Sequence, residues 1–169
     1  MARVKKYVFK TNVSQFNLNI LIEETVSDYK SPEILELLFM LGGKVKKHAD
    51  TILYSGCCKP GGYEELRLKF TEILVKLGGC DPNKLIYING IYSSVTCLTM
   101  LCSSKDEGYK NYNVIAKLVE LGGDMSIKDN KNNSAYDYLD DYEVLKLSKL
   151  IPNFKYDYDL YKSANKYNL

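Results

Sequence analysis

The chain has 169 residues, 46% of them apolar, and a formal net charge of +2. That is enough apolar material for a folded core, at a length that suits one compact domain or a short repeat array. The unbroken apolar runs Leu37 to Leu41 and Leu85 to Ile88 fall far short of the roughly 20 residues a membrane-spanning helix needs, and both signs of charge are spread along the chain, so neither a membrane nor a nucleic acid is expected as partner.

In chain order, residues 1–16 read as a lead-in. Met1 to Asn12 is basic but holds no apolar stretch of signal-peptide length, so a protein that stays inside a cell, in the cytoplasm, is expected. A short helix is predicted over Asn19 to Val26. Ser31 then offers an N-cap and Pro32 an N1 residue for a longer helix ending in ILELLFMLGG, Ile34 to Gly43. The basic run Lys44, Lys46, Lys47 and His48 reads as a solvated turn. Asp50 to Cys57 is the next short helix, and KPGGY, Lys59 to Tyr63, is a glycine-proline loop.

The second long helix ends in FTEILVKLGG, Phe70 to Gly79. Phe70, Ile73, Leu74 and Leu77 fall on one helical face. Val95 to Cys102 is another short helix, and the third long helix carries VIAKLVELGG, Val114 to Gly123, with Val114, Ile115, Leu118, Val119 and Leu121 as its apolar stripe. One phrase thus occurs three times, an apolar helix closing on Leu-Gly-Gly, where glycine takes the left-handed conformation cheaply. Ala135 to Asp140 is a last short helix and Tyr142 to Ile151 a last long one, stopped by Pro152. One helix pair alone cannot bury its apolar face, so about four pairs must stack. Residues 152–169 form a polar, tyrosine-rich tail in which Phe154, Tyr156, Tyr158 and Tyr161 mostly alternate with charges. It reads as an amphipathic segment shielding the end of the stack.

The chemistry-bearing residues do not assemble into a catalytic pattern. Five cysteines, Cys57, Cys58, Cys80, Cys97 and Cys102, form no CxxC pair, and His48 is the only histidine. An odd number without a signal peptide argues against a disulfide framework, and a four-ligand zinc site cannot be drawn from them. Cys97 and Cys102 suit small apolar positions in helices. His48 beside Cys57 and Cys58 reads as a turn histidine and two packed thiols rather than a base and its nucleophile. Of the acidic cluster Asp137, Asp140, Asp141 and Glu143, Asp140 or Asp141 is expected to cap the last long helix. No phosphate loop, dinucleotide, zincin or serine-hydrolase motif occurs. No cofactor, no metal and no enzyme activity are expected.

The arrangement resembles the ankyrin repeat. Thr96-Cys97-Leu98-Thr99 stands where that family has Thr-Pro-Leu-His, and Leu118 to Gly123 where it has Leu-Leu-x-x-Gly-Ala. Asp124 to Asn133 has the length of the family's turn, and Ser134-Ala135-Tyr136-Asp137 looks like a degenerate Thr-Pro-Leu-Asp of a terminal repeat. No copy keeps the proline, and glycine replaces the usual alanine after each helix. The resemblance implies an all-α fold, an ankyrin-repeat solenoid of about four helix pairs with projecting turns or short hairpins, over 17–43, 44–79, 80–123 and 124–151. Lysine, asparagine and tyrosine are abundant, as in the ankyrin arrays of large DNA viruses such as poxviruses and iridoviruses; for a viral protein the compartment is the host cytoplasm.

The resemblance also implies a function: a monomeric module that binds another protein and sequesters or redirects it. Its turns would be the fingers. Sixteen residues intervene between Gly79 and Thr96, where the family's turn has ten. Leu85, Tyr87, Ile88, Asn89, Ile91 and Tyr92 make this finger unusually apolar, either as an exposed recognition patch or as a β-hairpin with one face on the stack. The two are compatible, since a strand offers one face to each. Lys44, Lys46, Lys47, Asp124, Lys128 and Asp129 are secondary candidates. The rival readings are a different α-solenoid, or a helical enzyme or nucleic-acid-binding domain without a familiar motif.

Overall fold

The computed structural model describes residues 15–28, 30–45, 49–58, 63–87, 94–105 and 110–167. Among them the chain is mostly helical, as expected. The helices are α1 (Gln15–Ser27), α2 (Pro32–Met40), α3 (Ala49–Cys58), α4 (Glu64–Lys76), α5 (Cys97–Ser103), α6 (Tyr112–Glu120), α7 (Asp141–Ser148) and α8 (Phe154–Tyr167). Strands β1 (Ile86–Tyr87) and β2 (Ser94–Val95) lie between α4 and α5, and a 3-10 turn, Ala135–Tyr138, precedes α7.

The helices form two layers. In one, α1, α3, α5 and the 3-10 turn pack in succession; in the other, α2, α4, α6 and α7 do the same. Across the layers α1 rests on α2, α3 on α4 and α5 on α6, and α8 packs on α7. The core runs unbroken along the seam, with Ile22, Leu35, Leu53, Phe70, Leu98 and Leu118 among its fully buried side chains. Each such residue contributes about 1.5–3 kcal/mol by leaving water.

The long helices start and stop as their sequences direct. In α6 the Asn111 side chain accepts the Val114 N–H at 3.1 Å, and Val114, Ile115 and Leu118 are wholly buried. In α5 Thr96 accepts the Thr99 N–H at 3.1 Å. Asp140 caps α7 in a reciprocal capping box with Glu143, so one of the two expected carboxylates does the work. Ser31 does occupy the N-cap position before Pro32, but its hydroxyl donates to the Glu33 carboxylate and caps no amide.

The Gly-Gly stops divide two tasks. Gly42 and Gly122 take φ of +93°, the left-handed conformation that glycine adopts cheaply. The glycine after each has another reason: a Cβ on Gly43 would sit 2.7 Å from Ile22 Cδ1, and one on Gly123 2.8 Å from Leu98 Cδ1.

Other expectations change as well: Val95, predicted to open a short helix, lies in β2, and α5 starts at Cys97. α1 starts at Gln15, ahead of the predicted Asn19. The segment Ala135 to Asp140 is a 3-10 turn that stops at Tyr138, because Asp140 must be extended to cap α7. Leu77 is 53% exposed, since it stands at the C-cap of α4, past the face shared by Phe70, Ile73 and Leu74. The tail is a helix, α8, rather than an alternating segment. Phe154 is buried in it, and Tyr158 and Tyr161 follow at helical spacing on the same face. The Tyr136 ring meets these three rings at centroid distances of 5.8, 5.9 and 4.9 Å, so α8 closes the end of the stack as expected.

Candidate functional site

The long finger is an antiparallel ribbon at its base, with Ile86 paired to Val95 and Tyr87 to Ser94. Ile86 and Val95 are buried, whereas Leu85 is 36% exposed. Of the two possible packings, the face of Ile86 therefore meets the stack. Tyr87 is described by its backbone alone, and Ile88, Asn89, Ile91 and Tyr92 lie outside the described residues.

Neighbouring fingers are joined by two asparagines. The Asn83 side chain donates to the Gly122 carbonyl at 2.9 Å and accepts the Asp124 N–H at 2.7 Å. The Asn130 N–H donates to the Ser94 carbonyl at 3.3 Å. Sequence reasoning passed over Asn83. The available signal was the Asp81-x-Asn83 turn, in which Asp81 accepts the Asn83 N–H at 2.9 Å, a local turn that aspartate favours.

The secondary candidates separate. Lys44 and Lys128 are exposed, while Lys46 and Lys47 lie outside the described residues. Asp124 is exposed, and its carboxylate closes a turn onto Ser126. Asp129 is 8% exposed. Its carboxylate accepts the N–H groups of Lys131 and Asn133 and the hydroxyl of Tyr138 at 2.7 Å. Burial alone would raise its pKa, yet these hydrogen bonds hold it below the usual range. Asp129 builds its turn and is no part of an open surface.

Other surfaces carry apolar groups that the sequence did not single out. Ile34, Leu37 and Leu41 share one face of the α2 segment and are 46%, 53% and 52% exposed. A groove of about 680 Å³ runs between α4, α6 and the end of α7, lined by Leu68, Ala116, Val119, Leu150 and Pro152 among others.

No protein-family model, curated protein or solved structure matches this chain.

The cysteines are all buried and free. Cys57, Cys58 and Cys97 bring their sulfurs within 4.8 Å of one another, with Cys57 and Cys58 in thiol contact at 3.3 Å. Arg67 of α4 is 2% exposed and donates to the Cys57 carbonyl through Nε at 2.9 Å and Nη2 at 2.6 Å, capping the end of α3. Burial pushes the Cys57 and Cys58 thiols up, against the pull of Arg67. Hydrogen bonding to Cys57, followed by burial, raises Cys97. Burial likewise takes Cys102 to about 12. Protonated thiols shut away from solvent are poor nucleophiles. A nearly buried ion pair, Lys110 to Glu143, anchors the connection after α5 to α7.

Proposed function

We propose that the chain is a divergent ankyrin-type repeat protein that binds another protein and performs no catalysis of its own. The observation that carries this reading is the arrangement of the connections. Three helical pairs stack in two layers, continued by the 3-10 turn and α7, the long helix of each pair closes on a glycine at positive φ, and the connections 77–96 and 121–134 between pairs are longer than any within a pair, while 41–48 matches 104–111 in length. Long turns between pairs are what the ankyrin resemblance implies; a tetratricopeptide-type stack has short ones. The hydrogen bonds of Asn83 and Asn130 hold adjacent turns side by side, which preorganises a continuous edge and lowers the cost of binding.

The recognition surface is the 80–95 finger. Its base is anchored by Ile86, which leaves the opposite face of the ribbon for a partner. The extra residues cost about 1–2 kcal/mol each in backbone entropy, so they require a compensating contact. The partner is captured by affinity purification from the native cell, comparing the natural chain with a Tyr87→Ser, Tyr92→Ser variant. Loss of the captured protein with an unchanged melting temperature supports the reading. Full capture with a melting temperature several degrees lower makes the finger a structural element and overturns it.

A further inference from the structure

Three of the five cysteines, an adjacent pair and one 39 residues further on, meet in space. Cys57 and Cys58 end α3, and Cys97 opens α5, the next helix of the same layer. Their relative exposures are 0%, 2% and 2%. Cys58 donates to the Cys97 backbone carbonyl at 3.8 Å, and the three sulfurs lie within 4.8 Å of one another. Cys80 and Cys102 are buried as well but fall outside this group.

The donor set selects its occupant. A metal–thiolate bond is about 2.3 Å long, so three sulfurs around one ion stand about 4 Å apart. Separations from 3.3 Å up to 4.8 Å bracket that value. Structural zinc takes four ligands, and no fourth joins the three among the described residues. Hard cations want oxygen. Soft thiolates hold monovalent copper, zinc and iron–sulfur clusters, and of these monovalent copper is the one that three sulfurs suffice to hold.

The surroundings agree. A cavity of about 440 Å³ has Cys58 on its wall together with Tyr54, Met100, Ser103, Ser104 and Lys105, which provides an entry path. Met100 adds a thioether there, a soft donor that favours copper over zinc on the way in. The C-terminal end of α3 carries the negative end of a helix dipole, which favours a cation. Three thiolates and one monovalent ion leave a net charge of −2, and the Arg67 guanidinium, bonded to the Cys57 carbonyl, offsets part of it.

We propose that Cys57, Cys58 and Cys97 form a buried three-sulfur site for a single Cu(I) ion, entered from the cavity beside Cys58 and Met100. Loading replaces thiol protons, which pass to solvent, by Cu(I)–sulfur bonds, with no change of oxidation state. This site is independent of the partner-binding reading, and either can fail without the other.

The test uses the full chain, reduced and metal-free, titrated anaerobically with Cu(I) against a chromogenic Cu(I) chelator. One equivalent withheld from the chelator, a sulfur-only shell by X-ray absorption and a raised melting temperature are expected. Cys102→Ser retains all three, and Cys57→Ser or Cys58→Ser weakens retention at least tenfold while circular dichroism shows the metal-free variants folded. The X-ray absorption result on the natural chain stands even where a variant does not fold. No copper withheld from the chelator, nitrogen or oxygen in the shell, tighter binding of Zn(II) than of Cu(I), or undiminished retention by a folded Cys57→Ser, Cys58→Ser, Cys97→Ser variant overturns the proposal.

Discussion

The Tyr161 hydroxyl donates to the Asp137 carboxylate at 2.6 Å, joining α8 to the 3-10 turn that opens the last pair. Asp137 also accepts from the Ser134 N–H at 2.9 Å and from Lys162 at 3.1 Å. One carboxylate therefore caps the turn and moors the terminal helix. Tyr161→Phe removes the phenol donor and keeps the ring on Tyr136. A loss of about 1–2 kcal/mol in denaturant titration is expected, as for a hydrogen bond to a charged group, and a loss under a few tenths would mean that Asp137 holds α8 without it.

The same carboxylate makes stability pH-dependent. Burial alone would raise its pKa, but the hydrogen bonds from Tyr161, Ser134 and Lys162 win and hold it at about 2. A carboxylate depressed in the folded state stabilises at pH above its unfolded value, near 3.9, and that stabilisation is lost as pH falls through about 2. The contribution is about 1 kcal/mol after allowance for screening at a partly exposed site. Melting temperature measured between pH 5 and 2 should fall more steeply in the natural chain than in Asp137→Asn. Parallel curves would refute this assignment.

Leu118 sits at zero exposure on the buried face of α6. Leu118→Ala should cost about 2–5 kcal/mol by leaving a cavity. A cost below half a kcal/mol would be incompatible with a buried seam at this position.

The paired glycines give a graded test. Gly42→Ala forces a side chain into positive φ with nothing within 4 Å of its Cβ, at a cost of about 1 kcal/mol. Gly43→Ala meets Ile22 Cδ1 at 2.7 Å and the Leu38 carbonyl at 2.8 Å, and should cost more, about 1–3 kcal/mol. The reverse order in thermal denaturation would show that backbone conformation, not close packing, governs both positions.

Arg67 holds the end of α3 through two N–H groups on one carbonyl. Arg67→Met keeps much of the stem but leaves the Cys57 carbonyl without both donors. A loss of about 1–3 kcal/mol is expected. Arg67→Lys should recover only part of it, because an ammonium lacks the planar fork. Full recovery by lysine would show that charge alone matters here.

Much of the helical framework was legible in the chain itself. Three Leu-Gly-Gly stops, the apolar spacing of Val114, Ile115 and Leu118, and the cap at Asp140 are local signals, and each acts within a few residues of where it is written. Long helices were therefore readable, as was the ribbon that alternation of Leu85, Ile86 and Tyr87 allows. The tertiary structure decided what depends on residues far apart. Phe154, Tyr158 and Tyr161 read as part of an alternating tail until Tyr136 gives them a common ring to pack on. Asp129 reads as a surface acid until Tyr138 folds over it. Cys57, Cys58 and Cys97 look scattered because α3 and α5 are neighbours only after the pairs stack, and Arg67 reaches the end of α3 only once α4 folds back along it. Periodicity and capping are written in short-range sterics and hydrogen bonds; which side chains share a site is set by packing between layers, and no local pattern carries that.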